Sequence, residues 1–136
     1  MTGPTLLTWN VHGFVDDRGR PRFDDVVALL DRHDPDVIAL QEAPRDDACE
    51  VARRLGRHVV YAPAGWMGCA LLARAPWRDA QTLTMHAPGG EPRSAAWGVV
   101  DGLGIGVAVA HLDHVAEAVR VAEVDQLLAA LPSSID

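Results

Sequence analysis

Residues 35–44, PDVIALQEAP, constrain the fold more than any other stretch of this chain. Val37, Ile38, Ala39 and Leu40 form a short apolar run fenced by prolines on both sides. Such a run reads as a strand buried on both faces, because a half-solvated strand alternates apolar with polar positions. It ends in Gln41-Glu42, an amide followed by a carboxylate. Carboxylates are seldom fully buried unless they are paired or hold a cation. Glu42 is therefore the first candidate functional residue.

The first half of the chain alternates strand and helix. TLLTWNV (Thr5–Val11) reads as a strand, followed by a Gly/Asp/Arg/Pro-rich loop to Arg22. Val26, Val27, Leu29 and Leu30 recur at helical spacing within Phe23–His33, and Asp24-Asp25 suit its N-terminal end. A second helix is predicted over Asp46–Gly56, with Gly56 as its C-cap, and a third strand over His58–Ala62. Beyond this point the texture changes. Met67–Arg74, Ala80–Met85, Ser94–Val100 and Ile105–His111 are strand candidates with no helix between them, and Asp101-Gly102 marks a hairpin. Ala116–Leu131 reads as a last amphipathic helix, with Val119, Val121, Val124, Leu127, Leu128 and Leu131 on its apolar side. The expected fold class is α/β, a mixed sheet with helices on one face.

The chain has 136 residues, 49% of them hydrophobic, which is enough for one domain with a real core. A net charge of −7 argues against non-specific nucleic-acid binding, although a divalent cation can bridge an acidic protein to a phosphate. Cys49 and Cys69 form neither a C-x-x-C pair nor a disulfide framework, as in a reducing compartment. No secretory signal and no stretch of ~20 apolar residues is evident, so a cytoplasmic location without a membrane span is expected.

Three separated pieces each end a predicted strand with polar residues: TWNVHGF (Thr8–Phe14), DVIALQEAP (Asp36–Pro44) and AVAHLDH (Ala108–His114). In order and spacing they resemble the endonuclease/exonuclease/phosphatase superfamily, the deoxyribonuclease-I-like metal-dependent phosphoesterases. GCALLAR (Gly68–Arg74) is similar to that family's Gly-Asn-Ala-Leu-Leu strand, with Cys69 in the Asn position. EPRSAAWGVV and the helix containing Arg120 fall where the family has an Arg-led strand and an Arg-containing helix. The resemblance implies a four-layer α/β sandwich whose active site lies where strand ends converge. It implies Glu42 as the primary Mg²⁺ or Mn²⁺ ligand, with Asn10 beside it orienting phosphate or supporting the metal. His111 would hydrogen-bond the scissile phosphate, and Arg93 is a phosphate contact suggested by its place before a strand. The implied activity is hydrolysis of a phosphodiester or phosphomonoester whose identity the sequence does not specify. His12, Asp113 and His114 are expected as loop residues, and Trp9, Trp97 and Cys69 as packing.

The family's later elements, a strand ending Gly-Asp-x-Asn and a Ser-Asp-His ending, have no counterpart in residues 1–136, and Ile135-Asp136 does not replace them. The expectation is roughly half a sandwich and half a catalytic constellation, so weak or no turnover from this chain alone. The alternative is a non-catalytic remnant or split half that works through another chain. With helices on one face only, the other sheet face is expected to be a bare apolar patch that drives self-association.

Overall fold

β1 (Leu6–Asn10) and β2 (Val37–Ala43) run parallel, joined by a crossover that contains a short 3₁₀ turn (His12–Phe14) and helix α1 (Phe23–His33). The computed structural model describes residues 2–133, so Ile135-Asp136 lie outside the described residues. Helix α2 (Arg45–Leu55) leads to β3 (His58–Ala64), which turns back into β4 (Met67–Ala73). β4 inserts between β2 and β3, antiparallel to both, giving a mixed sheet of order β1-β2-β4-β3. The C-terminal ends of β1, β2 and β3 and the start of β4 thus share one edge of this sheet. The remaining strands, β5 (Trp77–Met85), β6 (Arg93–Val100) and β7 (Ile105–Ala110), form a separate antiparallel sheet in that order, followed by α3 (Glu117–Ala130).

The two-faced burial expected of β2 is met by different partners on each side. Ile38 and Leu40, with Ala70 and Leu72 of β4, pack against Val26, Val27 and Leu30 of α1 and Val51 of α2. Ala39 and Leu71 point the other way and meet Ala96 of β6 and Val109 of β7. Each fully buried Val, Leu or Ile side chain contributes about 1.5–3 kcal/mol before entropy is counted. The expected bare face of the first sheet is therefore absent, because the second sheet covers it, and self-association through that face loses its premise. The α/β class and the partial sandwich are as anticipated; the strands divide into two sheets, and the second lies on the face the helices leave open.

Helix ends follow the anticipated chemistry. Gly56 caps α2 in the left-handed conformation (φ 63°), its N–H donating to the carbonyls of Ala52 and Arg53. α3 departs from its expected stripe. Val119 is buried and so is Glu123 one turn on, whereas Val121 and Leu128 are exposed. Among the described residues no helix is long and apolar enough to cross a membrane.

Candidate active site

Glu42 leaves the core strand at a backbone irregularity. Leu40 pairs with Ala70 and Ala43 with Gly68, so β2 advances three residues while β4 advances two. The extra residue is a β-bulge, a device that re-aims a side chain. Glu42 takes φ 51°, a left-handed conformation that costs a non-glycine residue on the order of 1–2 kcal/mol. The surroundings fix it there. The Tyr61 hydroxyl donates to the Ala43 carbonyl at 2.8 Å, and Gly68 leaves room beside the Ala62 carbonyl that any Cβ would collide with. The Glu42 side chain, 24% exposed, reaches His12, whose Nδ1 lies 3.2 Å from Oε2.

Asn10 ends β1 beside Gln41 in the parallel register. Its Oδ1 accepts the His12 N–H at 3.0 Å, so the side-chain oxygen is used in the turn and the NH₂ group is left as a donor. His12 and Phe14 also have positive φ (48° and 59°), and the whole His12–Phe14 turn is tightly wound against the edge of β2. Asn10, His12 and Glu42 form one chain of contacts across the strand ends.

The second sheet supplies the opposite wall. β6 begins at Arg93 and β7 ends at Ala110, and the His111 N–H donates to the Ser94 carbonyl at 3.3 Å, so Arg93 and His111 meet at that edge. Arg93 Nη1 lies 3.0 Å from His111 Nδ1, and Nη2 lies 3.4 Å from His114 Nδ1. A guanidinium can only donate, so both Nδ1 atoms accept, which leaves Nε2 as the protonated nitrogen of each ring. Burial pushes the His111 pKa down, the Arg93 charge pushes it further down, and Glu42 and Glu123 oppose the shift. His111 is accordingly a neutral Nε2–H donor at physiological pH.

Glu42, Arg93, His111 and His114 line one cleft of about 380 Å³, together with Trp66 of the β3–β4 turn and Met67 at the start of β4. Of the sequence-predicted residues, Glu42, Arg93 and His111 share this wall, and Asn10 stands beside it through His12. Behind the cleft, Glu123 is wholly buried and its Oε2 accepts the Asp113 N–H at 2.7 Å. Asp113 Oδ1 accepts the N–H groups of Ala116 and Val115 just ahead of α3, which holds its carboxyl below the usual range. Arg120 Nη1 donates to the Asp113 carbonyl. The loop carrying His111 is thereby tied to α3. Cys69 is packing, as expected: it is buried, and burial raises its thiol pKa to about 11.

His12, His114, Asp113 and Glu123 were not singled out from sequence as site residues. The first three lie inside the quoted motifs, and Glu123 shows only as a charge one turn after Val119 on a buried helix stripe. Trp66 was likewise missed; an apolar aromatic following Gly65 in a turn was its one signal.

A hard divalent cation seeks several oxygen ligands and retains water where protein oxygens are few. Among the described residues no three His, Cys, Asp or Glu side chains gather as a metal cage. Glu42 offers the right chemistry for one protein ligand: a carboxylate at a cleft, with only one oxygen engaged by an exposed imidazole. The residues fit a cation that is shared with a phosphate and water, not one held by protein alone.

The Endonuclease/Exonuclease/phosphatase family model matches residues 7–134. Among curated proteins none matches the sequence. Solved structures share the fold. One is an endonuclease/exonuclease/phosphatase from Beutenbergia cavernae, 20% identical with a TM-score of 0.72, covering 95% of this chain and 44% of its own. A mannosyl-6-phosphatase from Bacteroides thetaiotaomicron is 17% identical, with a TM-score of 0.74 over 93% of this chain and 58% of its own. ANGEL2, a 2′,3′-cyclic phosphatase, is 20% identical, with a TM-score of 0.69 over 79% of this chain and 36% of its own. The chain spans about half the length of these structures.

Proposed function

The chain belongs to the Endonuclease/Exonuclease/phosphatase family, and from that premise we propose that it carries a phosphate-ester hydrolase site dependent on Mg²⁺ or Mn²⁺. The observation that supports this best is the meeting of two unlike walls at one strand edge: a bulged, strained Glu42 and the cationic Arg93–His111 pair. Glu42 would hold the cation, with the Asn10 NH₂ group orienting a phosphate oxygen. A bound dication would neutralise phosphate charge and polarise the phosphoryl group. The His111 Nε2–H would donate to a non-bridging oxygen, and Arg93 would hold the imidazole in that tautomer while adding positive charge. Hydrolysis breaks the bond between phosphorus and the ester oxygen, with water supplying the new oxygen.

Because the chain spans about half of its structural relatives, weak turnover is part of the proposal. A cytoplasmic location is proposed from its two free thiols, Cys49 and Cys69. The test is hydrolysis of p-nitrophenyl phosphate and bis-p-nitrophenyl phosphate with and without Mg²⁺ or Mn²⁺. Slow, metal-dependent release that Glu42→Gln abolishes is expected. Release that survives both chelation and Glu42→Gln would overturn the assignment.

An alternative is a half that acts only with another chain, as a non-catalytic partner. It is favoured by β7, which among the described residues pairs with β6 alone, and by the exposed Val121 and Leu128 on α3. An uncharged open strand edge is a template for strand addition. Light scattering that finds a monomer at tens of micromolar would remove self-pairing as the form this takes.

A further inference from the structure

One loop beside the cleft is held by side chains of opposite charge. Arg93 donates to Nδ1 of His111 and to Nδ1 of His114, and Glu123 accepts the N–H of Asp113 between them at 2.7 Å. Arg120 of the same helix adds a bond to the Asp113 carbonyl. Helix α3 is itself fixed to the second sheet: the Gln126 side chain accepts the His86 N–H and donates to the His86 carbonyl just beyond β5. Glu123 therefore grips the loop from a rigid support. Among the described residues, the buried side-chain polar atoms without a partner are Arg93 Nε and Glu123 Oε1. A buried carboxylate with an unused oxygen is costly, and packing alone would be served by an apolar side chain. Two unpaired atoms of opposite charge, on the two residues that hold one loop, mark a place where position outranks stability.

Building on the phosphate site proposed above, we infer that Glu123 is a positioning residue for the His111 contact to phosphate, acting through the Asp113 N–H. Glu123 is wholly buried and stands back from the cleft wall, so it does not touch substrate. His111 and His114 both line the cleft, and Asp113 lies two residues after the first and one before the second. A shift of the Asp113 backbone therefore moves both imidazoles. The short bond from the Asp113 N–H to a charged acceptor is of the stronger kind, and it fixes the loop at that point. The second effect is electrostatic. His111 feels the Arg93 and His114 charges on one side of the balance and the Glu42 and Glu123 carboxylates on the other. Glu123 thus contributes an acceptor, which an amide can replace, and a charge, which an amide cannot.

The experiment is NMR titration with inorganic phosphate in Mg²⁺ on wild type, Glu123→Gln, Glu123→Leu and Glu123→Ala, with thermal midpoints as fold controls. Gln keeps an acceptor for the Asp113 N–H, Leu fills the space without one, and Ala does neither. Phosphate should shift the Arg93 and His111 signals of wild type. Glu123→Leu and Glu123→Ala should weaken phosphate binding about tenfold, the order of one lost charge-assisted hydrogen bond. Glu123→Gln should bind phosphate at least as well as wild type. In that variant the His111 titration midpoint should fall, because a carboxylate that raises it is gone. This readout stands even where the Leu and Ala variants fail to fold. Three results overturn the inference and leave the site standing: unchanged phosphate binding in a folded Leu or Ala variant, a Gln variant that binds phosphate about tenfold more weakly than wild type, or an unmoved His111 midpoint in Glu123→Gln. No phosphate response at Arg93 and His111 in wild type overturns the site itself.

Discussion

Arg93 donates from Nη1 to Nδ1 of His111 across 3.0 Å, so a cation fixes the tautomer of the imidazole beside it. The pair is self-consistent only while His111 is neutral, since a protonated imidazole would face the guanidinium with a second donor. Burial, first, and the Arg93 charge, second, depress the His111 pKa. The folded protein therefore binds this proton less readily than the unfolded chain does. Its contribution to stability is fully present above the unfolded histidine pKa of about 6.5 and is lost as pH falls through the lowered folded value. Arg93→Met should raise the His111 midpoint in an NMR titration and shrink the acid-side loss of stability. An unchanged midpoint would mean that burial alone sets it.

Strain at Glu42 predicts a substitution that helps the fold and harms the site. Glycine tolerates φ 51° without a Cβ penalty. Glu42→Gly should stabilise the protein by roughly 1 kcal/mol, a rise of about 3 °C in thermal midpoint for a domain of this size. The same change should abolish metal-dependent phosphate binding. Calorimetric melting checks the first part; a lowered midpoint would show that the Glu42–His12 contact outweighs the backbone cost.

Glu123 supplies a contrast between charge and shape. One carboxylate oxygen accepts the Asp113 N–H, and the other is buried without a partner among the described residues. Glu123→Gln keeps an acceptor for Asp113 and removes a buried charge, so it should be neutral or mildly stabilising. Glu123→Ala leaves a cavity and an unpaired N–H and should cost about 2–4 kcal/mol in urea unfolding. Equal losses for the two variants would assign the carboxylate charge itself a structural role.

Metal affinity should be low. One carboxylate is a thin oxygen shell, since the Asn10 side-chain oxygen already accepts from His12, so Mg²⁺ dissociation is expected in the millimolar range without phosphate. Calorimetry with Glu42→Gln as control checks this, and micromolar binding indifferent to that substitution would contradict it.

Much of this arrangement was legible before any coordinates. β2 declared itself because four apolar residues between prolines admit few other readings, and the polar endings at Asn10, Glu42 and His111 marked the strand ends, although His111 follows β7 of the second sheet and not a strand of the first. The split into two sheets was not legible, because strands covered by helices and strands covered by another sheet are apolar in the same way. Ala39 and Ile38 look alike in sequence yet face different layers. The α3 stripe differs because Val and Leu fall on more than one side of the helix, leaving Val121 and Leu128 exposed, and only the loop amide of Asp113 explains why Glu123 faces inward. Trp66 escaped notice because a turn aromatic carries no periodicity. Its meaning comes from the cleft it borders, and that is assembled from distant segments.

The proposed site puts a divalent cation on Glu42, beside Asn10 and facing Arg93 and His111 across the cleft. Paramagnetic line broadening by substoichiometric Mn²⁺ tests it most directly, since it detects weak sites and reports their position. Signals of Asn10, His12, Arg93 and His111 are expected to broaden first, and Glu42→Gln is expected to remove the effect. Broadening centred on other acidic positions such as Asp46 and Asp47, or unaltered by Glu42→Gln, would contradict it.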